Sequence, residues 1–266
     1  MPGPDELETV VATRFSFFGN SGWKVPPEEQ KAALFDPANL RTRLRLFERI
    51  TLASLRHQTR KDFHHYILTS ADLPDWAMTR LSDITRAAYP AGNVTIDARP
   101  YGNARKYFRL FMTQHCQYDP VLQVVLDDDD GLAADFMETM RREVAALTAN
   151  GRAPDDPVFV SFARGVGLVF RDEETATPRA YRHSYPYINL GLTLMGPRSG
   201  KNIFVIDHLA APRRATNALV KGPLMFLRSL HDHNDSRADI GARWSEIENW
   251  KEDPDLIGRF PCLAEM

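Results

Sequence analysis

Four consecutive aspartates at positions 127–130 follow directly on an apolar run, and this junction constrains the fold more than any other feature of the sequence. The run, residues 121–126, is short and rich in β-branched residues, which is typical of a strand buried on both faces of a sheet. Adjacent carboxylates repel one another and cannot enter a core without partners. They are therefore expected at the C-terminal end of this strand, facing a cleft or solvent.

The residues after the acidic cluster indicate a ligand site. Gly131 is expected to let the chain turn, and apolar residues at helical spacing then predict a helix that stops at 150–151. In an open α/β sheet, ligands bind just past the carboxyl ends of the strands. Carboxylate oxygens there suit Mg²⁺ or Mn²⁺, which would hold a phosphate-bearing substrate. A solvated acidic loop is the alternative. A calcium-binding EF-hand loop is excluded, because its positions 1 and 12 would be Leu126 and Met137.

The first half of the chain alternates strands with helices. Segments 9–18, 63–69, 94–96 and 121–126 predict strands, and helical periodicity lies between them. This order is typical of an α/β protein with a mostly parallel sheet flanked by helices. One helix begins at Asp36-Pro37. Its arginines are expected on a solvated face: Arg41, Arg43, Arg45 and Arg49.

The pattern changes after residue 151 to a mixed α+β part. Short strands are predicted at 158–162, 167–170, 187–194 and 203–206, with no long helical period between them. Trp244 and Trp250 lie at helical spacing and predict a C-terminal amphipathic helix. The tail beyond that helix is expected to pack on the domain or on a partner chain, so a homodimer is left open.

Composition bounds the class of protein. A chain of 266 residues with 43% hydrophobic content can bury one sizeable core, and we expect a single domain over 1–266. A formal net charge of −2 gives no general attraction to nucleic acid. No run approaches the about 18 apolar residues of a membrane span, and the first ten residues lack the features of an export signal. Two cysteines without metal-binding spacing fit a reducing cytoplasm.

The acidic segment, LDDDDGLAADF at 126–136, resembles the Asp-x-Asp motif of GT-A nucleotide-sugar glycosyltransferases and a segment of a bacterial rhamnosyltransferase family. Three further segments resemble that family in the same order. They are TRFSFFG at 13–19, LFERITLASLRHQT at 46–59 and LHDHNDS at 230–236. The resemblance implies a GT-A fold in a bacterial cytoplasmic enzyme, with residues 1–150 binding the nucleotide sugar and 151–266 building the acceptor site.

The resemblance also implies a metal site. Asp127 and Asp129, with His231, would hold Mn²⁺ or Mg²⁺ on the diphosphate of the donor. The register Asp128 and Asp130 is the competing choice for the carboxylates. His233 is the competing choice for the imidazole, because the metal needs only one neutral ring nitrogen.

Several further residues are implied as contacts of the donor. Arg14, the one charge inside the first strand, would donate to base or phosphate, unless it forms a strand-end salt bridge. Asp72 would bind a base or ribose, although it also makes a reasonable helix N-cap. Asn103 and Arg105 lie in the helix ahead of the strand that ends at the aspartates. In similar enzymes an Asn or Arg in this helix contacts the donor. Helix capping or ordinary surface charge is the alternative explanation for these two residues. The remaining donor contacts are Asp127 and Asp128, and Asp130 would orient the sugar or the waters of the metal.

Transfer of a sugar with inversion needs a base to take the proton of the acceptor hydroxyl. Asp207 and His208 follow the predicted strand at 203–206 and are candidates for that base. A salt bridge from Asp207 to Arg213 or Arg214 is the alternative. No residue selects rhamnose as the sugar, or UDP, dTDP or GDP as its carrier.

The sequence therefore predicts a metal-dependent glycosyltransferase that acts on a glycan or other hydroxyl acceptor. Inversion is expected, because an Asp or His base is available and no separate nucleophile is evident. A sugar-phosphate phosphotransferase would use the same aspartates and a basic pocket, for which Arg105, Lys106 and Arg109 are available. A non-catalytic glycan-binding module would rely instead on the aromatic residues at 181–187.

Overall fold

Residues 121–125 form the strand predicted ahead of the acidic cluster, and a large sheet is built around it. The structure, a computed structural model, describes residues 6–20, 25–149, 157–170, 177–205, 215–231 and 244–266. The strands in these residues are β1 (Thr9–Arg14), β2 (His64–Ser70), β3 (Val94–Arg99), β4 (Val121–Val125), β5 (Gly131–Leu132), β6 (Val158–Phe162), β7 (Arg164–Val169), β8 (Arg179–Ser184), β9 (Thr193–Gly196), β10 (Thr216–Val220), β11 (Phe226–Leu230) and β12 (Ser245–Ile247).

The helices of the described residues lie mainly in the first half of the chain. They are α1 (Pro27–Leu34), α2 (Pro37–Leu46), α3 (Ala53–Arg56), α4 (Asp75–Ala88), α5 (Ala104–His115), α6 (Phe136–Thr148) and α7 (Pro254–Arg259). A π-helical segment, Phe47–Leu52, joins α2 to α3 without a break. Single 3₁₀ turns occur at Ile203–Val205, Trp250–Glu252 and Pro261–Glu265.

The large sheet has seven strands in the order β10-β6-β9-β4-β1-β2-β3. Strands β3, β2, β1 and β4 are parallel, because each returns through a helix. Strand β9 runs antiparallel between β4 and β6, and β10 is parallel to β6. The predicted α/β class, a mostly parallel sheet flanked by helices with a mixed C-terminal part, is confirmed.

A second sheet of five strands, in the order β12-β8-β7-β11-β5, is formed mainly by the C-terminal part of the chain. Only β5 comes from the first half, and it pairs antiparallel with β11. Since β4 belongs to the large sheet and β5 to the small one, residues 126–130 connect the two sheets. The acidic cluster therefore lies where the two sheets meet.

Alternating side chains of the large sheet pack against helices on both of its faces. Val10 and Ala12 of β1 share a core with α5, whereas Val11 belongs to the core that contains α6. Helices α2 and α4 enclose a third core under β2. Burying both faces of the strands explains their nearly continuous apolar sequence. None of the helices in the described ranges is long and apolar enough to cross a membrane.

Two predictions about local structure next to the site are wrong. Gly131 does not turn the chain but lies in β5, opposite Leu227. A Cβ atom there would lie 3.1 Å from Cγ2 of Ile50, so the π-helical segment approaches Gly131 closely and a side chain would require Ile50 to shift. Residues 203–205 form a 3₁₀ turn instead of a strand, because the Ile203 N–H donates to the side chain of Gln123.

Two predictions about the C-terminal part are also wrong. Residues 187–194 are not one strand, because Tyr187 and Gly191 have left-handed backbone angles, and only Thr193–Gly196 is extended. No helix contains Trp244 and Trp250. Residues 245–247 pair with β8 instead, and Asn249 in the left-handed region ends this strand before Trp250. The tail packs on its own domain, where Glu265 pairs with Arg56.

Candidate functional site

The four aspartates alternate between buried and half-buried positions. Asp128 and Asp130 are buried, whereas Asp127 and Asp129 are half-buried. The segment turns at Asp128 and Asp129, where the backbone N–H of Asp130 donates to the Asp127 carbonyl at 3.4 Å, so successive side chains face different directions. Two carboxylates therefore point into the protein and two remain accessible.

Asp128 forms a buried ion pair with Arg43 of α2. The Arg43 Nη1 atom lies 3.1 Å from both Oδ1 and Oδ2 of Asp128, and the two side chains are 10% and 4% exposed. The expectation that Arg43 lies on a solvated face is thus wrong. Breaking such a pair leaves a charge buried without a partner, which is strongly unfavourable. The pair fixes the acidic segment to α2.

Asp130 is held by hydrogen bonds from β11 and from the π-helical segment. Its Oδ1 accepts the backbone N–H of Ser229 at 2.9 Å, and its backbone carbonyl accepts the hydroxyl of Thr51 at 2.8 Å. Burial raises the pKa of Asp130 well above its usual range, and the nearby carboxylates of Asp129 and Asp127 raise it further. Asp130 is therefore a much weaker acid than an exposed aspartate.

Asp129 and His231 are in direct contact. The antiparallel pairing of Leu227 with Gly131 brings the end of β11 beside the acidic segment. The Ser229 hydroxyl donates to the Asp129 carbonyl, and Nε2 of His231 lies 3.0 Å from Oδ2 of Asp129. The side chain of His231 is 1% exposed and that of Asp129 is 14% exposed. The structure thus brings together two of the three predicted metal ligands, 102 residues apart in the chain.

The chemistry of these donors fits a divalent cation. Within the described residues, no three His, Cys, Asp or Glu side chains are grouped closely enough to hold a metal ion by themselves. Mg²⁺ commonly takes one or two carboxylates from the protein and its other ligands from water and substrate phosphates. Asp129 and His231, with Asp127 in the same segment, provide such a partial set.

Arg14 lies exposed at the end of β1. Its guanidinium group lies 5.5 Å from the ring centroid of Phe204, and no acidic partner is found for it among the described residues. Asp72 forms an ion pair with Lys31 at 2.7 Å. It is not a helix cap, since α4 begins at Asp75 with no side-chain capping bond. That alternative for Asp72 is therefore wrong.

Asn103 and Arg105 lie at the N-terminus of α5. Asn103 caps this helix, with Oδ1 accepting the backbone N–H of Arg105 at 3.0 Å. Both side chains line a cavity of about 290 Å³ on the flank of α5. The other polar side chains around this cavity are Lys106, Arg109, Lys201 and Asn202.

The candidate base residues Asp207 and His208 lie outside the described residues, as do Arg213, Arg214 and His233. Their predicted roles stay predictions. The strand expected to precede Asp207 is not observed, as described above.

Sequence reasoning missed three residues that hold the acidic segment: Arg43, Thr51 and Ser229. Arg43 was assigned to solvent because α2 carries several arginines, and no local pattern distinguishes the buried one. Thr51 lies in the π-helical segment, and such irregular turns often occur at functional sites. Ser229 has no sequence signal beyond its place in an apolar strand next to His231.

Comparisons with known proteins give the following findings. Residues 1–349 of TarS from S. aureus share 10% identity with this chain, cover 84% of it and give a TM-score of 0.43. The same protein in complex with UDP gives a TM-score of 0.45 at 10% identity and 84% coverage. This chain spans 60% and 61% of those two chains. A putative glucose-1-phosphate thymidylyltransferase from Bacillus anthracis, in complex with sucrose, shares 11% identity with a TM-score of 0.36, covering 83% of this chain and 88% of its own.

No curated protein matches the chain in sequence. The family described as "Putative rhamnosyl transferase" matches residues 8–243. This match includes all four segments on which the resemblance rests, and it covers most of the 266-residue chain. The chain therefore belongs to this rhamnosyl transferase family, a family of glycosyltransferases.

Proposed function

We propose that the protein transfers a sugar from a nucleoside diphosphate donor with the help of a divalent cation bound at Asp127, Asp129 and His231. The observation that carries this proposal is the contact between Asp129 and His231 at the end of a buried strand. Two residues far apart in sequence are brought together there beside an accessible second carboxylate. Divalent cations that bind phosphates favour such donors.

The alternation of burial supports the choice of Asp127 and Asp129 over Asp128 and Asp130. Asp128 is engaged by Arg43, and Asp130 accepts a backbone N–H of Ser229. Both of these carboxylates are therefore used to position the segment. When bound, the cation supplies positive charge where the departing nucleoside diphosphate gains negative charge.

Donor recognition is proposed for residues at the carboxyl edge of the parallel strands. Arg14, at the end of β1, is a candidate for contact with base or phosphate, and Asp72 for contact with the nucleoside. Asn103 and Arg105 reach the same edge from α5. Asp130, buried beside the accessible carboxylates, would orient the sugar or the waters of the metal.

Rhamnose is the proposed sugar, because it is the sugar in the name of the family. An Asp207 or His208 base would take the proton of the acceptor hydroxyl as that oxygen attacks the anomeric carbon, giving inversion. The acceptor would be a glycan or another hydroxyl compound.

Product analysis tests this function directly. Sugars linked to UDP, dTDP and GDP would be incubated with the protein, Mn²⁺ and a panel of glycan acceptors. Release of a nucleoside diphosphate that requires Mn²⁺ supports sugar transfer, and it should be lost in Asp129→Asn. A matched control is Asp75→Asn, which removes an exposed carboxylate from α4.

Other products would contradict the proposal. A nucleoside monophosphate as product would identify a sugar-phosphate phosphotransferase instead. Glycan binding that is the same in the wild type and Asp129→Asn, with no nucleotide product, would identify a binding module.

A further inference from the structure

The flank of α5 carries a cavity with an unbalanced positive charge. Arg105 and Arg109 are one helical turn apart, so they project from the same face of α5. Lys106 lies beside them, and Lys201 faces them from the segment between β9 and the turn at Ile203–Val205. Four cationic side chains therefore surround a cavity of about 290 Å³.

The segment that carries Lys201 is fixed at one end to the loop that follows α5 and at the other end to α5 itself. At one end, the backbone N–H of Arg198 donates to Asp119 at 2.7 Å. At the other, Nδ2 of Asn202 donates to the backbone carbonyl of Arg105 at 2.8 Å. These two hydrogen bonds fix the position of Lys201 relative to α5, so the shape of the cavity is determined by the fold.

No acidic side chain of the described residues pairs with any of the four cations, although other cations nearby are paired. Arg198 pairs with Asp119, for example, and Arg99 with Asp97. Like charges lining a concave surface concentrate the electrostatic potential and attract an anion. The four exposed side chains therefore create a local excess of positive charge that would attract an anionic ligand.

Asn202 adds a second feature to the cavity, a buried hydrogen-bond acceptor. It lines the cavity, is 1% exposed, and its Oδ1 accepts no hydrogen bond from the part of the chain that the structure describes. The bond from Nδ2 to the Arg105 carbonyl fixes which amide atom is the oxygen. Buried acceptors are nearly always satisfied, and within the described residues this oxygen lacks a donor.

From these two features we infer that the cavity binds a phosphoryl group that carries neighbouring sugar hydroxyls, as in a sugar phosphate or a phosphorylated glycan. The four cations hold the phosphoryl oxygens, and Asn202 accepts a hydroxyl. None of the lining residues belongs to the acidic segment or to β11. The cavity shares Asn103 and Arg105 with the residues proposed for donor recognition but none with those proposed for the metal, so it adjoins the donor site and fits a phosphorylated acceptor. Only this acceptor role rests on the proposed function; the binding itself does not.

Isothermal titration of the full chain tests the site with three probes: glucose 6-phosphate, inorganic phosphate and glucose. We expect glucose 6-phosphate to bind most tightly, inorganic phosphate more weakly, and glucose not at all. Arg109→Gln with Lys201→Gln should weaken glucose 6-phosphate binding at least tenfold, and added salt should weaken it in the wild type. The matched control, Arg86→Gln with Lys61→Gln, removes two exposed cations elsewhere and should bind as the wild type does.

A second titration distinguishes the two possible sources of the phosphoryl group. With UDP and Mn²⁺ at saturation, glucose 6-phosphate should bind unchanged, and UDP should bind the Arg109→Gln, Lys201→Gln variant as it binds the wild type. Competition by UDP would show that the cavity holds the phosphates of the donor and would overturn the proposed acceptor site. Equal binding by the variant and the wild type would also overturn it. Failure of nucleotide binding in the wild type, with glucose 6-phosphate binding retained, would count against the proposed function alone.

Discussion

The Nη1 atom of Arg43 lies 3.1 Å from both carboxylate oxygens of Asp128, a residue 85 positions later in the chain. This buried pair connects α2 to the segment that carries the accessible aspartates. It fixes the side of the segment that faces the protein and so determines which carboxylates face outward. The arrangement of the proposed metal site thus depends on an ion pair that does not itself belong to the site.

Arg43→Met should destabilise the protein by about 3–5 kcal/mol, because it leaves the carboxylate of Asp128 buried without its partner. Urea denaturation measures this loss. The exposed Arg41 on the same helix provides a control, since Arg41→Met should change the free energy of unfolding by about 0.5 kcal/mol or less. Adding Asp128→Leu to Arg43→Met should restore much of the stability. Equal effects of the two single substitutions would show that the ion pair is unimportant.

The buried His65 should make the fold sensitive to acid. Burial lowers its pKa to about 3, and its ring nitrogens lie 2.9 Å from the hydroxyls of Thr13 and Tyr89. The unfolded chain binds a proton at His65 below about pH 6.5, and the folded chain does not until about pH 3. Between these values, falling pH therefore favours the unfolded state by about 1.4 kcal/mol per pH unit.

The substitution His65→Gln isolates this contribution. It removes the titrating group, so the free energy of unfolding of the variant should fall less steeply between pH 6.5 and 4 than that of the wild type. Parallel stability curves from urea denaturation at several pH values would contradict the assignment.

Gly165 should not tolerate a side chain. A Cβ atom there would overlap the ring and the backbone carbonyl of Phe226 on the paired strand β11. We expect Gly165→Ala to cost about 1–3 kcal/mol, since a well-packed core resists added atoms. Gly222→Ala is the control, because nothing lies within 4 Å of its Cβ position. A stability of Gly165→Ala equal to that of the control, measured by thermal denaturation, would refute the predicted overlap.

The hydroxyl of Thr51 should position the acidic segment. Thr51→Val keeps the shape of the side chain but leaves the Asp130 carbonyl without its 2.8 Å hydrogen bond, at a cost of about 1–3 kcal/mol. Nucleotide affinity in the presence of Mn²⁺ should fall as well. Thr148→Val removes a comparable hydroxyl-to-carbonyl bond from α6, away from the site. If both variants retain full nucleotide affinity, Thr51 has no positioning role.

Much of the fold could be predicted from local patterns. The apolar run at 121–125, the strand at Thr9–Arg14 and the intervening helical periods define a parallel sheet, because each pattern reflects burial of that segment itself. The place of the aspartates at the end of the strand follows from the cost of burying charge, whereas the expectation that all four face a cleft or solvent is wrong for Asp128 and Asp130, which are buried. Prediction failed where distant segments decide the local structure, as at Gly131, which pairs with Leu227 of β11 instead of turning the chain.

The candidate site shows the same division. The contact between Asp129 and His231 agrees with the ligands expected from the resemblance, although their role as ligands stays a prediction. The function of Arg43 could not be predicted, since helical periodicity indicates the faces of α2 but not what lies against them. The tryptophans at 244 and 250 misled for a related reason: pairing of Ser245–Ile247 with β8 overrides their helical spacing.

The most direct test of the account is a thermal-shift panel of UDP, GDP, dTDP and CMP, each with and without Mn²⁺. It would be applied to the wild type, to Asp129→Asn, to His231→Gln and to the control Asp75→Asn. A ligand that binds only the folded state stabilises it by about 2.7 kcal/mol at a hundredfold excess over its dissociation constant. We predict a shift for at least one nucleoside diphosphate that requires Mn²⁺, persists in Asp75→Asn and is lost in the other two variants. A shift that does not need Mn²⁺ or survives Asp129→Asn, or no shift for any nucleotide with a folded protein, would contradict the proposed metal-dependent site.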